Sequence, residues 1–250
     1  MRQGYPHVYD SIAPWYEKTF GGYAVGPSAK VLTRTLGDGA GWCLDVGCGT
    51  GLHFEAIAAT GRRPVGVDLS FEQLRIAAGR LPEIVEADGT RLPFADAVFP
   101  TVVSTFTHTD VPDFGLVMHE ISRVLLPGGT FVYVGVHPCF VHFAAERRDD
   151  GILVHPGYGS HGHIDASPFF RPGGLRARVG EHHIGLDGLL MSIIDADLDL
   201  RIVEEIPGGY GIGATSAEQV PGLLAIAALK SLYPASGGDA KRSFNQEEGS

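Results

Sequence analysis

The sequence predicts an α/β fold in which helices cover both faces of a mostly parallel sheet of seven strands. Three observations support this prediction. Short apolar strands alternate with helix-length segments through the first half of the chain, which is typical of parallel sheets with right-handed crossovers. A glycine-rich turn joins the first strand directly to the next helix. The chain has 250 residues, of which 44% are hydrophobic, and this is enough to form one substantial core.

We expect one domain over residues 1–233, with an insertion at about 138–181 and a disordered tail at 234–250. The insertion is rich in glycine, proline and histidine and shows little periodicity. A long irregular segment inside a compact domain is usually functional, so we interpret the insertion as a cap that gives substrate specificity. The tail is polar and contains glycine, as disordered termini do.

Each predicted strand is a short apolar segment bounded by turn residues. Phe131–Val136 is apolar throughout, as a strand buried on both faces should be. Pro100 would interrupt a paired strand, so the paired part of the fourth strand is expected after it. Strands are expected at Trp42–Val46, Pro64–Asp68, Ile84–Ala87, Val98–Ser104, Phe131–Val136, Leu200–Ile206 and Leu223–Leu229, the last of them antiparallel.

Each predicted helix places apolar residues at helical spacing. Ser70 and Asp187 are the expected N-cap residues of two of them. The first helix carries an aromatic stripe that includes Trp15 and Tyr16, and this stripe either packs on the sheet as core or closes over a ligand. Helices are expected at Tyr9–Phe20, Ser28–Leu36, Leu52–Thr60, Phe71–Leu81, Pro112–Leu126 and Asp187–Ala196.

The segment Cys43–Gly51 combines a short apolar strand, an acid and three glycines at alternate positions. Glycine is needed where φ is positive or where a ligand approaches the main chain. Such a turn before a helix is the general nucleotide-binding corner of doubly wound folds, so it does not identify a ligand by itself. The dinucleotide pattern G-x-G-x-x-G does not match, because the third glycine comes too early. Asp45 is expected to face the ligand, which favours one with a cationic amine.

The pattern D-x-G-x-G-x-G at Asp45–Gly51 resembles motif I of the class I methyltransferases that use S-adenosylmethionine (SAM). Val65–Ser70, Glu86–Gly89 and Arg123–Gly129 resemble later motifs of the same family, in matching order. The resemblance is to the small-molecule members, including those of quinone biosynthesis. It implies a Rossmann-like sheet with strand order 3-2-1-4-5-7-6, a cap inserted after the fifth strand, and SAM as the cofactor.

The resemblance also implies which residues bind SAM. Asp68 would bind both ribose hydroxyls, and Asp88 would receive the adenine amino group. Thr105 and His108 follow the fourth strand next to the first, which is where ligands bind in an open α/β sheet. The expected cofactor-binding residues are Tyr16, Asp45, Gly47, Cys48, Gly49, Gly51, Asp68, Leu69, Asp88, Gly89, Thr105 and His108.

Methyl transfer from a sulfonium needs the acceptor, the methyl group and the sulfur nearly in line, so positioning supplies much of the reduction of the barrier. A hydroxyl or protonated amine acceptor also needs a base, and histidine titrates near neutral pH. His137 and His183 are our candidates, with His182 as a near-equal substitute for His183, and each of them is alternatively a structural residue. His161–Asp165 offers imidazole and carboxylate groups, but alternating histidines on an exposed cap are more often solvated, so we expect no metal site.

The formal net charge is −10 and no dense Lys/Arg cluster is present, which argues against nucleic-acid binding. Three cysteines without metal-site spacing indicate a reducing compartment. The N-terminus has no apolar signal core, and no apolar segment is long enough to span a bilayer. We therefore expect a cytoplasmic enzyme with no membrane partner. The oligomeric state stays open, with a homodimer as one alternative.

These patterns together predict a SAM-dependent methyltransferase that acts on an O or N atom of a small molecule, of the kind found in specialised metabolism. One alternative is C-methylation of a quinone-like acceptor. Another is a SAM-binding protein that promotes ring closure or regulates a partner without methylating, because fold does not dictate function. A nicotinamide-dependent reductase is disfavoured by the glycine spacing. The sequence does not identify the acceptor.

Overall fold

The computed structural model describes residues 5–22, 26–208 and 219–232. The expected tail at 234–250 lies outside the described residues. Within these residues the main sheet contains seven strands, and the insertion with the residues just after it carries four shorter ones in two separate two-stranded sheets. In chain order the strands are β1 (Trp42–Val46), β2 (Arg63–Asp68), β3 (Ile84–Glu86), β4 (Phe99–Thr105), β5 (Leu125–Val136), β6 (Ala145–Arg148), β7 (Gly151–Val154), β8 (Gly162–Ile164), β9 (Glu181–His183), β10 (Leu198–Pro207) and β11 (Pro221–Lys230).

The strand order of the main sheet is β3-β2-β1-β4-β5-β11-β10. When the seven strands of this sheet are counted alone, the order is 3-2-1-4-5-7-6, so the predicted topology is confirmed. β1 pairs in parallel with β2 and β4, whereas β11 is antiparallel to both β5 and β10. The order reverses between β1 and β4, which creates a cleft at the carboxyl ends of these strands.

The described residues form α-helices close to those expected. Ser70 caps α4, since its hydroxyl accepts a hydrogen bond from the Gln73 amide at 3.3 Å. The prediction that Asp187 caps α7 is wrong, because the N-cap residue is Gly185 and no side chain caps the helix. Within the described ranges, no helix combines the length and apolar character needed to cross a bilayer. The helices are α1 (Tyr5–Phe20), α2 (Pro27–Leu36), α3 (Phe54–Ala58), α4 (Phe71–Ala77), α5 (Phe114–Val124), α6 (Arg176–Val179) and α7 (Leu186–Ile194).

The strand β5 contributes side chains to the core on both faces of the sheet. Phe131 and Tyr133 pack in a cluster with residues of α5 and α7. Val132 and Val134 point to the other face and pack with residues of α2. All four side chains are fully buried. The continuous apolar pattern of this strand therefore follows from helices on both faces, as predicted.

The boundary between α5 and β5 differs from the expectation. The helix ends at Val124, and Leu125 already has an extended ψ of 140° and pairs with Phe99. The Leu-Pro-Gly-Gly segment is thus part of the strand, because its proline cannot continue a helix. Pro100 acts as expected, since the register of β4 shifts there and the continuous ladder begins at Thr101.

Candidate functional site

A cavity of about 550 Å³ lies at the carboxyl ends of β1, β2 and β4. This is the edge at which the strand order reverses, and ligands of open α/β sheets bind there. The volume is within the range of small-molecule and cofactor sites. The cavity walls come from the glycine turn after β1, the ends of β2 and β4, the start of α5 and one face of α1.

The three glycines of the turn have backbone conformations that other residues avoid. φ is +77° at Gly47, +54° at Gly49 and +78° at Gly51. A Cβ atom at Gly47 would overlap the methyl group of Thr107, and one at Gly49 would lie 2.6 Å from Gln73 Oε1. Gly47 and Gly49 therefore give the cavity a wall of bare backbone.

Three amide groups of this turn are already hydrogen-bonded within the chain. Those of Gly47 and Cys48 donate to the Val67 carbonyl at 2.8 and 3.0 Å. The Gly49 amide donates to Asp68 Oδ2 at 2.7 Å. A turn that binds pyrophosphate instead points free amides at its ligand. This turn is therefore unsuited to a dinucleotide, in agreement with its glycine spacing.

The cavity wall is acidic. It carries the carboxyl groups of Asp68, Asp88, Asp110 and Asp113, and no Lys, Arg or His lies among the described residues that line it. Arg176 lies outside the wall and pairs with Asp110. Among the described residues, the other three wall carboxylates, those of Asp68, Asp88 and Asp113, have no such ion pair. Such a site attracts a cationic ligand and repels a phosphate. Burial raises the pKa of Asp68, although the backbone amides that it accepts act in the opposite direction.

Asp45 lies behind the glycine turn and not on the cavity wall, contrary to the expectation that it faces the ligand. Alternation along β1 places it on the same face as Cys43, which belongs to the core cluster under α2. Asp45 is fully buried, and neither carboxyl oxygen has a hydrogen-bond partner among the described residues. Burial and, to a lesser extent, Asp68 raise the pKa of Asp45 to about 7. This carboxyl group can act on a bound cation only through space.

Most of the other expected cofactor-binding residues line the cavity, and their role as ligands stays a prediction. Cys48 is instead buried in a small cluster with Phe54, and Gly51 packs against the same ring. His108 is buried and forms a 2.5 Å hydrogen bond with the Tyr133 hydroxyl. The expected residues on the wall are Tyr16, Gly47, Gly49, Asp68, Leu69, Asp88, Gly89 and Thr105.

The two histidines expected as bases do not line this cavity. His137 is fully buried, its Nδ1 accepts the Cys139 amide at 3.1 Å, and its Nε2 hydrogen-bonds Glu205 at 2.8 Å. The Nε2 of His183 donates to the Tyr158 carbonyl at 2.7 Å. Burial lowers the pKa of both imidazoles. Both side chains thus have structural partners, and their assignment as catalytic bases stays a prediction that the cavity lining does not support.

His182 and His163, in and just after the insertion, also have partners. His182 is buried, and its ring lies against that of His163 with 4.9 Å between the centroids. His163 Nε2 in turn lies 2.9 Å from Asp165 Oδ1. In the described part of the chain, no three His, Cys, Asp or Glu side chains are grouped to hold a metal ion.

Sequence reasoning missed Tyr9, Phe106 and Asp110, which all line the cavity. Phe106 adopts a left-handed conformation with φ +61°, which is uncommon for a residue with a Cβ atom and is often found at functional sites. The available signal for Asp110 was its place in the polar stretch after the fourth strand. Tyr9 precedes Tyr16 by two helical turns, and the two rings lie 6.2 Å apart.

The helix α1 lies along the cavity instead of packing as core. Among its described side chains Ala13 alone is buried, whereas Trp15 and Tyr16 stay partly exposed. Asp10 Oδ1 accepts the Ser70 hydroxyl at 2.6 Å and the Glu72 amide at 3.1 Å, which fixes α1 to the start of α4. This placement agrees with a helix that closes over a ligand.

Comparisons with known proteins are consistent with this site. Residues 44–133 match the family model described as a methyltransferase domain. The chain is 33% identical over 144 residues to a demethylmenaquinone methyltransferase from Renibacterium salmoninarum, which covers 54% of this chain and 60% of that relative. Among solved structures, a SAM-dependent methyltransferase from Mesorhizobium loti superposes with a TM-score of 0.66 at 22% identity, over 82% of this chain and 99% of that one. The 4+2 cyclase SpnF superposes with a TM-score of 0.62 at 20% identity, over 91% and 95%.

The chain has the fold of SAM-dependent methyltransferases. Residues 44–133 of this fold are the part that matches the methyltransferase domain family. The matched segment includes the glycine turn, Asp68 and Asp88, and it ends before the insertion that separates β5 from β10.

Proposed function

We propose that this chain transfers a methyl group from SAM to a small-molecule acceptor. The observation that carries the proposal is the acidic cavity beside a glycine turn whose amides are already used. Such a wall favours a cation over a phosphate, and SAM carries both an ammonium and a sulfonium group. The domain match over residues 44–133 supports the same function.

Asp68 is suited to bind the two ribose hydroxyls. Its Oδ1 accepts the Ser70 amide at 2.8 Å and its Oδ2 accepts the Gly49 amide at 2.7 Å, so each oxygen keeps a lone pair for a further donor. Asp88 and Gly89 would hold the adenine. When bound, SAM supplies an electrophilic methyl group on a cationic sulfur. The chain's contribution is to hold the acceptor in line with that group, and orientation of this kind is worth up to about 7–11 kcal/mol.

The bases on the described cavity wall are carboxylates and not imidazoles. A carboxylate is a weak base for an alcohol or an ammonium group. An acceptor that is itself acidic, such as a hydroxylated aromatic ring, places a smaller demand on such a base. The Renibacterium relative is named a demethylmenaquinone methyltransferase. We therefore favour the ring carbon of a quinol-like acceptor as the first to test, before O and N acceptors.

A transfer assay with SAM labelled on its methyl group tests this proposal. The acceptors are a demethylated naphthoquinol, a simple phenol and a primary amine, each incubated with the wild type. We expect label in the naphthoquinol product and little product with Asp68→Asn. Asp165→Asn is the matched control, because this carboxylate is 93% exposed on the insertion, and it should leave the rate unchanged. Label in the phenol or amine instead would reassign the acceptor to O or N.

The same fold also occurs in a protein named as a cyclase, so binding of SAM without methyl transfer is the competing function. It predicts that the wild type binds SAM but that no acceptor becomes labelled. Absence of both binding and transfer would contradict both functions.

A further inference from the structure

The short helix α6 of the insertion reaches the cofactor cavity through Arg176. Its Nη1 donates to Asp110 Oδ1 at 2.6 Å, and its Nη2 donates to Asp110 Oδ2 at 3.1 Å and to Thr109 Oγ1 at 2.7 Å. Asp110 lines the cavity. A two-point contact between guanidinium and carboxylate fixes direction as well as distance. One side chain of the insertion thus holds a wall residue of the cavity in place.

Asp110 also receives a contact from α1. The Tyr9 hydroxyl donates to Asp110 Oδ1 at 2.7 Å, and Tyr9 itself lines the cavity. The same carboxylate therefore joins three parts of the chain, which are α1, the loop after β4, and α6. Both charged side chains are mostly buried, with 21% of Arg176 and 23% of Asp110 exposed, so separating them would leave two poorly solvated charges.

A second contact joins α6 to α1. The guanidinium carbon of Arg178 lies 4.2 Å from the ring centroid of Trp15, a cation–π distance. On its other side α1 is fixed to the main domain, where Glu17 pairs with Arg80 at 2.5 Å. The helix therefore lies along the cavity between two sets of contacts, and α6 provides one of them.

We propose that Arg176 is a positioning residue that joins the insertion to α1 through Asp110 and so controls how long the cofactor stays bound. This inference rests on the proposed function, because it takes SAM as the occupant of the cavity. Tyr9 and Tyr16 of α1 line the cavity, so movement of α1 away from the cavity would open a path for the cofactor. The contacts of Arg176 with Asp110, and of Asp110 with Tyr9, oppose that movement. The insertion thereby acts on the cofactor as well as on the acceptor.

The test measures the dissociation rate of S-adenosylhomocysteine by stopped-flow fluorescence in a Trp42→Phe background. The chain has two tryptophans, so Trp15 then reports on α1 alone. We expect Arg176→Gln to raise the dissociation rate on the order of tenfold, within the 5–150-fold range of ordinary coupling between sites. Arg176→Lys keeps the charge but not the two-point contact, and it should give an intermediate rate.

Arg148→Gln is the matched control, because Arg148 belongs to the same insertion and pairs with Glu146 on its own strand, β6. It should leave the dissociation rate at the wild-type value. Tyr9→Phe removes a single hydroxyl, so it tests the same connection if Arg176→Gln does not fold. Its effect should be less than additive with that of Arg176→Gln.

Equal dissociation rates for Arg176→Gln, Arg148→Gln and the wild type would overturn the positioning role and leave the proposed function intact. Fully additive effects of Tyr9→Phe and Arg176→Gln would also overturn it, since they would show that the two residues act separately. A wild type that does not bind SAM would overturn the proposed function itself.

Discussion

The buried carboxyl group of Asp45 should make the free protein less stable at neutral pH than at acidic pH. Its pKa is about 7 in the folded chain, raised by burial and by Asp68, against 3.8 for an ordinary aspartate. The unfolded chain therefore releases this proton near pH 4 and the folded chain near pH 7. Between these values the folded state holds the additional proton, so stability falls as pH rises from about 4 to about 7 and stays low above that. The difference of about 3 units corresponds to roughly 4 kcal/mol.

Asp45→Asn removes the ionisation and keeps the shape of the side chain. At pH 4 the amide and the neutral carboxyl group are both buried without partners, so the variant and the wild type should have nearly equal free energies of unfolding. At pH 8 the variant should be more stable by up to about 4 kcal/mol. Urea unfolding of the free proteins at both pH values measures the difference, with Asp165→Asn as an exposed control. A difference that does not change with pH, or an Asp45→Asn variant less stable at pH 8, would refute this reasoning.

Three further predictions concern the glycine turn, the start of α4 and a buried histidine. Gly47→Ala should weaken SAM binding at least about tenfold by calorimetry, because the added methyl group would overlap Thr107 and displace this part of the cavity wall. Gly159→Ala is the control, since its methyl group would lie in open space, and it should leave SAM binding unchanged. Ser70→Ala removes both the N-cap of α4 and the hydrogen bond to Asp10. It should lower the free energy of unfolding by at least about 1 kcal/mol, and an unchanged melting temperature would count against this role. Burial lowers the pKa of His53 from 6.5 to about 4, so its contribution is complete above pH 6.5 and falls by up to about 3 kcal/mol towards pH 4. His53→Gln should flatten that part of the stability profile, and a profile of unchanged slope would contradict the prediction.

The parallel half of the fold could be predicted because its signals are local. β1 has the predicted bounds of Trp42–Val46, and Ser70 caps α4 as predicted. Both signals, the spacing of apolar residues and the cap residue, act within a few positions of the chain. The glycine spacing also predicted that the site lies at the end of β1. The predicted end of α5 was wrong. The apolar pattern would continue the helix to Leu126, but Leu125 pairs with Phe99 of β4 and so begins the strand.

The contacts of the site could not be predicted, because their partners lie far apart in sequence. Tyr9 and Asp110 are separated by 101 positions, and Asp110 and Arg176 by 66. The Nε2 partner of His137 is Glu205 on β10, 68 positions later. No spacing rule connects such pairs. The sequence therefore indicated His137 as a base, whereas both of its ring nitrogens have structural partners.

Equilibrium titration of the wild type and Asp68→Asn with SAM and with NAD tests the central claim most directly. The acidic wall and the occupied amides of the glycine turn predict that SAM binds the wild type and that NAD does not. They also predict that Asp68→Asn binds SAM at least roughly tenfold more weakly, the cost of one charge-assisted hydrogen bond. Binding of NAD, or SAM binding that survives Asp68→Asn unchanged, would contradict the account.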